Sequence, residues 1–63
     1  MIHIDYQYRK KDGTIHTATN YFYDVNSAVR FVYVINRSND KRLISFGADN
    51  SEESYLLNRK LGL

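Results

Sequence analysis

The chain has 63 residues, which is enough for one small domain and too short for two. A domain of this size buries only about 60% of the surface that its unfolded chain exposes, so its core is thin. Cysteine is absent, so no disulfide can stabilise that core. The formal net charge of +2 is too small to require a polyanionic partner. We expect a single domain over residues 1–63.

The N-terminal residues predict a cytoplasmic protein with no membrane association. Asp5 places an acid near the start and no long apolar run follows it, which is unlike a signal peptide. No segment approaches the roughly 20 consecutive apolar residues that a membrane helix needs.

Residues 2–9 predict a β-strand with one buried face. Large apolar residues alternate there with polar ones, at positions Ile2, Ile4, Tyr6 and Tyr8. The turn sequence Asp12-Gly13 and the Thr- and Tyr-rich run over residues 14–23 then predict a returning strand, and hence a hairpin.

A two-residue turn at Asp12-Gly13 would determine the register of this hairpin. Lys11 then lies opposite Thr14, and Ile4 lies opposite Tyr21. In that register Tyr21 and Tyr23 share the apolar face of the first strand, whereas Phe22 lies on the other, mainly polar face.

The segment over residues 25–37 is predicted to be a helix. Asp24 is a good N-cap, and apolar residues recur at helical spacing, at Val25, Ala28, Val29, Val32 and Ile35. The alternative is a strand, because residues 29–35 are mostly β-branched or aromatic. That alternative would give a four-stranded meander with one helix.

The last third of the chain predicts a short strand and a second helix. Residues 42–48 are the predicted strand, and Asn50 with Glu53 resembles a capping box. Leu57 and Leu61 would face inward, with Leu56 beside them, and Gly62 is the expected left-handed C-terminal residue.

These elements define an α+β fold with the order β-β-α-β-α. A right-handed crossover after the second strand would place the third strand beside the first. We therefore expect a three-stranded antiparallel sheet in the order 2-1-3, packed on the first helix and followed by a C-terminal helix.

The expected topology sorts the charged residues by end. The acids Asp24, Asp49, Glu52 and Glu53 collect at one end, and cations collect at the other. Acids at helix starts and bases at helix ends also complement the helix dipole, so this separation has a structural explanation. The functional alternative is a nucleic-acid-binding module, in which aromatic rings stack beside cations that contact phosphates. Its residues would be Tyr8, Arg9, Lys10, Lys11, His16, Arg37, Lys41 and Arg42.

No motif of the chain predicts catalysis or a cofactor. The glycines stand alone at positions 13, 47 and 62, so no phosphate-binding loop is formed. Each serine is explained as a cap, turn or surface residue, and none has a histidine in a recognisable arrangement. His3 and His16 would lie on the order of 20 Å apart in the predicted register, which is too far for one metal ion. We expect a non-enzymatic protein with no cofactor and no metal.

The remaining feature is an excess of large apolar side chains. One helix and one sheet face cannot cover all of them, so we expect an interface that contains Phe22, Phe31, Tyr33 and Val34. The alternative is that the second helix folds back over Phe31 and Val34. The interface hypothesis predicts a homodimer that also binds a larger protein.

The length and the Tyr- and Asn-rich composition are similar to those of many accessory proteins of phages and mobile elements, which include inhibitors of host proteins. That similarity implies a protein that inhibits or modulates a host protein. A structural subunit of a larger assembly is the other alternative.

Overall fold

The computed structural model of the protein describes residues 1–62. Within them, three strands and two helices follow in the order β1 (Ile2–Arg9), β2 (Ile15–Phe22), α1 (Val25–Arg37), β3 (Lys41–Ala48) and α2 (Ser51–Lys60). The strands form an antiparallel sheet in the order β2-β1-β3. The predicted α+β fold and strand order are confirmed.

The hairpin turn between β1 and β2 contains three residues, not two. The Gly13 N–H donates to the Lys10 carbonyl at 2.9 Å, and the Lys10 N–H donates to the Thr14 carbonyl at 2.9 Å. Gly13 has a φ of +88°, in the left-handed region that favours glycine. This is the pattern of a type I turn followed by a bulge at glycine. The Asp12 carboxylate also accepts from the Thr14 N–H, as in an Asx-turn.

This turn corrects the predicted hairpin register by one residue. Ile4 lies opposite Asn20, not Tyr21, and Ile2 lies opposite Phe22. A slip of one residue exchanges the two faces of a strand. Phe22 therefore lies on the apolar face of β1, and the prediction that Tyr21 and Tyr23 share that face was wrong.

The helix assigned to residues 25–37 is confirmed, and its strand alternative is wrong. The Asp24 side chain accepts from the Ser27 N–H at 3.2 Å, so the N-cap forms as predicted. Ser38 ends the helix by donating its N–H to Ile35 and its hydroxyl to Val34. The β-branched residues Val29, Val32 and Ile35 are accommodated because they are buried on the inward side of the helix.

The second helix also begins and ends as predicted. Asn50 accepts from the Glu53 N–H at 2.7 Å, and its amide donates to the Glu53 carboxylate. Gly62 has a φ of +78°, and Leu57 is fully buried, whereas Leu56 is partly exposed.

The core lies between one face of the sheet and the two helices. Its buried members come from β1, α1 and α2 and are Ile2, Ile4, Ala28, Val29, Val32, Ile35 and Leu57. No polar side chain of the described residues is buried with them. The opposite face of the sheet, which we call the open face, is not covered by any element of residues 1–62.

A cross-strand disulfide tests the register of the hairpin. Gln7 and Thr17 lie opposite each other in the structure, with the short Cα separation of about 4.5 Å expected of a pair without mutual hydrogen bonds. The Gln7→Cys/Thr17→Cys variant should form a disulfide on mild oxidation, because this separation lies within the disulfide range. The natural chain has no cysteine to interfere.

The control is Gln7→Cys/Ala18→Cys, the pair that a two-residue turn would place opposite each other. In the structure these two residues lie on opposite faces of the sheet. Free thiols in both variants would be counted by mass spectrometry after alkylation. A disulfide in the control pair, with free thiols at positions 7 and 17 in the first variant, would contradict the register of the structure.

Candidate functional site

The solvent-facing side of α1 carries two of the four residues predicted for a protein interface. Tyr33 is 49% exposed and Val34 is 52% exposed. Arg30 and Arg37 are also exposed, one turn before and one turn after them. Because residues three and four apart are neighbours on a helix, the four form one continuous surface. We call Arg30, Tyr33, Val34 and Arg37 the α1 stripe.

The other two predicted interface residues, Phe22 and Phe31, lie in an aromatic cluster at the β2 side of the core. Their ring centroids are 5.4 Å apart, and the Phe31 ring meets the Tyr6 ring edge-on at 5.2 Å. All three are half-buried against the core. Phe31 is thus partly covered by residues of β1 and β2. Val34 stays exposed.

Three of the cations predicted for a nucleic-acid surface line one groove. The Arg9 N–H donates to the Asp40 carbonyl at 2.8 Å, which brings the end of β1 to the loop before β3. The groove there has a volume of about 320 Å³. Its walls include Tyr8, Arg9, Lys41 and Arg42. Lys10 and Lys11 lie beside it on the hairpin turn, and Arg37 lies in the last turn of α1.

The Tyr8 ring does not stand free in this groove. It stacks on the His16 imidazole with centroids 5.7 Å apart and an interplanar angle of 23°. His16 in turn lies 3.2 Å from the Thr14 hydroxyl. The stack lies on the helix-bearing face of the sheet, whereas Arg9 and Arg42 belong to the open face.

A polar cluster that the sequence did not reveal lies in the middle of the open face. The Thr19 hydroxyl donates to one oxygen of Asp5 at 2.6 Å, and the Ser45 hydroxyl donates to the other at 2.7 Å. The His3 Nε2 is 3.8 Å from Asp5. The ring of His3 lies over Gly47, where any Cβ would come within 2.7 Å of it. The one-residue register correction brings Thr19 opposite Asp5, which explains why sequence reasoning missed the cluster.

This cluster does not have the order of groups that nucleophilic catalysis requires. In a serine triad the imidazole lies between the serine and the carboxylate, so that it can accept the hydroxyl proton. Here the carboxylate of Asp5 lies between Ser45 and His3. The hydroxyls of Thr19 and then Ser45 instead stabilise the charged carboxylate, which lowers the pKa of Asp5 below its ordinary value.

The two histidines lie on opposite faces of the sheet. His3 faces the open side with Asp5, and His16 lies across from Tyr8 on the helix-bearing side. In residues 1–62, no group of three or more His, Asp or Glu side chains is placed to hold a metal ion.

Comparisons with protein-family models, with curated proteins and with solved structures find no match for this chain. Neither α1 nor α2 is long and apolar enough to cross a membrane, and these are the helices of the described residues.

The pH dependence of folding tests the Asp5 cluster. A carboxylate whose folded pKa is lowered stabilises the fold above its unfolded pKa of about 3.9 and loses that contribution as the pH falls through the folded pKa. The Asp5→Asn variant should therefore have a lower urea midpoint of unfolding than wild type at pH 7. The difference between the two midpoints should become smaller at pH 2 to 3.

A matched pair of threonine variants shows whether the hydroxyl bond is responsible. Thr19→Val removes a donor to Asp5 and should weaken the pH dependence. Thr17→Val changes the neighbouring open-face threonine, which lies opposite Gln7. This variant should leave the pH dependence of stability unchanged. Equal effects of the two variants would show that the bond from Thr19 is not the cause.

Proposed function

We propose that this protein is a small, non-enzymatic interaction module that uses the α1 stripe to bind a larger protein. The observation that supports this most directly is the exposure of Tyr33 and Val34 in the C-terminal half of a well-capped helix. A soluble protein gains nothing for its own fold from apolar groups left in water. The same groups stabilise a complex when a partner covers them.

The residue types of the stripe are those that dominate binding energy at interfaces. Tyrosine and arginine are enriched among residues whose truncation costs the most affinity. Neither Arg30 nor Arg37 forms an ion pair with another of the described residues, so both guanidinium groups are available to a partner. The opposite side of α1 is buried through Val29, Val32 and Ile35, which holds the stripe on a rigid element.

The charge of α1 indicates the chemistry of the partner. The helix contains no aspartate or glutamate, so its exposed side is apolar in the middle and cationic on both sides. The complementary surface is an apolar depression with carboxylates at its rim. In keeping with the similarity in size and composition to phage accessory proteins, the proposed partner is a larger bacterial cytoplasmic protein, and binding would inhibit or modulate it.

Affinity capture with two tyrosine variants tests this proposal. The wild-type chain, Tyr33→Glu and Tyr55→Glu would each be immobilised and exposed to a bacterial lysate. Tyr55 is 60% exposed on α2 and serves as the matched control. A protein retained by wild type and by Tyr55→Glu but lost with Tyr33→Glu is the expected result, because a carboxylate at position 33 would be buried in the partner's apolar depression, beside the carboxylates of its rim.

That captured protein would then be purified and titrated against the same three chains by calorimetry. We expect Tyr33→Glu to weaken binding by at least about 30-fold, which corresponds to the 2 kcal/mol or more that defines a hot spot. Circular dichroism confirms that each variant is folded. Equal affinity of wild type and Tyr33→Glu would contradict the use of the stripe.

A second candidate function, nucleic-acid binding, is favoured by the groove at the end of β1. There Arg9, Lys41 and Arg42 line the groove together with Tyr8, and cations beside an aromatic residue suit a phosphate backbone next to a base. Asp40 lies in the same groove and pairs with Lys41 at 3.6 Å, which removes one cation from the available set.

Fluorescence anisotropy with a labelled single-stranded oligonucleotide tests this second candidate. Binding should weaken steeply as salt rises, because each phosphate contact releases a counterion. The Arg9→Ala/Arg42→Ala variant should reduce the slope of log Kd against log salt by roughly 1 to 2, whereas Arg59→Ala/Lys60→Ala, with the same change in net charge, should not. No change in anisotropy up to about 100 μM chain at low salt would exclude this function.

A further inference from the structure

The two edges of the sheet differ in how well they are protected against pairing with another strand. β3 carries Lys41 and Arg42 and a register shift opposite Asp5 and Tyr6. Charges and bulges of this kind prevent edge-to-edge pairing. β2 has neither: it contains no Asp, Glu, Lys, Arg or Pro, and it pairs with β1 without interruption from Ile15 to Phe22.

The backbone of β2 directs a regular set of hydrogen-bonding groups toward its free edge. The Lys10 N–H points to β2, where it bonds Thr14, and the Arg9 N–H points the other way to Asp40. Because this direction alternates along an antiparallel strand, the β2 residues opposite Arg9, Gln7, Asp5 and His3 turn their N–H and C=O groups outward. These residues are Ile15, Thr17, Thr19 and Tyr21.

We propose that β2 pairs antiparallel with β2 of a second copy, so that two chains form one six-stranded sheet. A two-fold axis at Ala18 uses all four outward-facing residues and gives about eight backbone hydrogen bonds across the seam. On the open face Ile15 then lies opposite the partner's Tyr21, and the two-fold axis repeats this pair. Both side chains are about two-thirds exposed in the single chain, at 65% and 66%. Aromatic residues paired with β-branched residues stabilise neighbouring strands.

A second copy fits this edge on both faces of the sheet. On the helix-bearing face Ala18 lies on the axis, where its small side chain permits close approach, and Asn20 lies opposite the partner's His16. No like charges meet, because β2 has no side chain with a permanent charge. Phe22 and Phe31, which are only half-buried in the single chain, lie next to the seam.

Symmetry also limits the assembly to two chains. The pairing uses β2 of both copies and leaves a β3 edge at each end of the six-stranded sheet, where Lys41 and the bulge oppose further growth. The α1 stripe lies in the helix layer, whereas the two copies meet at the β2 edge of the sheet. The dimer therefore does not depend on the proposed binding of a larger protein. It would present two stripes to such a partner.

Single-cysteine cross-linking tests the axis. Ala18→Cys places two thiols on the two-fold axis, at a separation of about 4.5 Å between Cα atoms, and should form a disulfide-linked dimer on mild oxidation. Asn20→Cys is the matched control on the same face of the same strand. Its two copies lie four residues out of register, about 13 Å apart along the strand, and should stay reduced. Equal cross-linking of both variants, or of neither, would overturn this pairing.

Sedimentation equilibrium with two lysine variants tests the edge. Thr17→Lys adds a charge at the β2 edge and should raise the dimer dissociation constant at least about 10-fold, since edge lysines oppose strand pairing. Ile44→Lys adds the same charge at an exposed position of β3 and should leave the dimer dissociation constant unchanged. A chain that stays monomeric at millimolar concentration would overturn the proposal. The β2 edge would then be free to pair with a strand of another protein. A defined oligomer larger than two would overturn it in favour of a subunit of a larger assembly.

Discussion

The three-residue turn of the hairpin determines which residues of β2 face the helices. It places Phe22 opposite Ile2 and makes Tyr21 and Ile15 face away from the core. A two-residue turn would exchange these faces along the whole strand. The contact of Phe22 with Phe31, the bond from Thr19 to Asp5 and the exposure of Ile15 and Tyr21 all follow from this one turn.

A chain of this length can form only two layers, and every candidate surface follows from that limit. Two helices cover one face of a three-stranded sheet, so the other face and both edges remain in contact with solvent. One helix has a single inward side, so Tyr33 and Val34 stay outside although the segment is strongly apolar. The proposed contacts, on α1 and on the β2 edge, would cover the surfaces that the single chain cannot.

The helices were predictable because the signals that define them are local. Asp24 and Asn50 each bond a backbone N–H three residues later, and Gly62 adopts the left-handed conformation expected after a helix. The groove at the end of β1 could be predicted in part, since antiparallel strand order alone brings Arg9 near Lys41. The Asp5 cluster was not, because its donors Thr19 and Ser45 come from two other strands.

The sequence by itself determined the order and type of the elements, the ends of the helices and the strand order of the sheet. These depend on caps, on hydrophobic periodicity and on the handedness of crossover connections, all of which can be read within short segments or from chain order. Only the tertiary structure decided the face on which each β2 side chain lies. Asp12-Gly13 suits both a two-residue and a three-residue turn, and the choice depends on whether Phe22 or Tyr21 packs against α1.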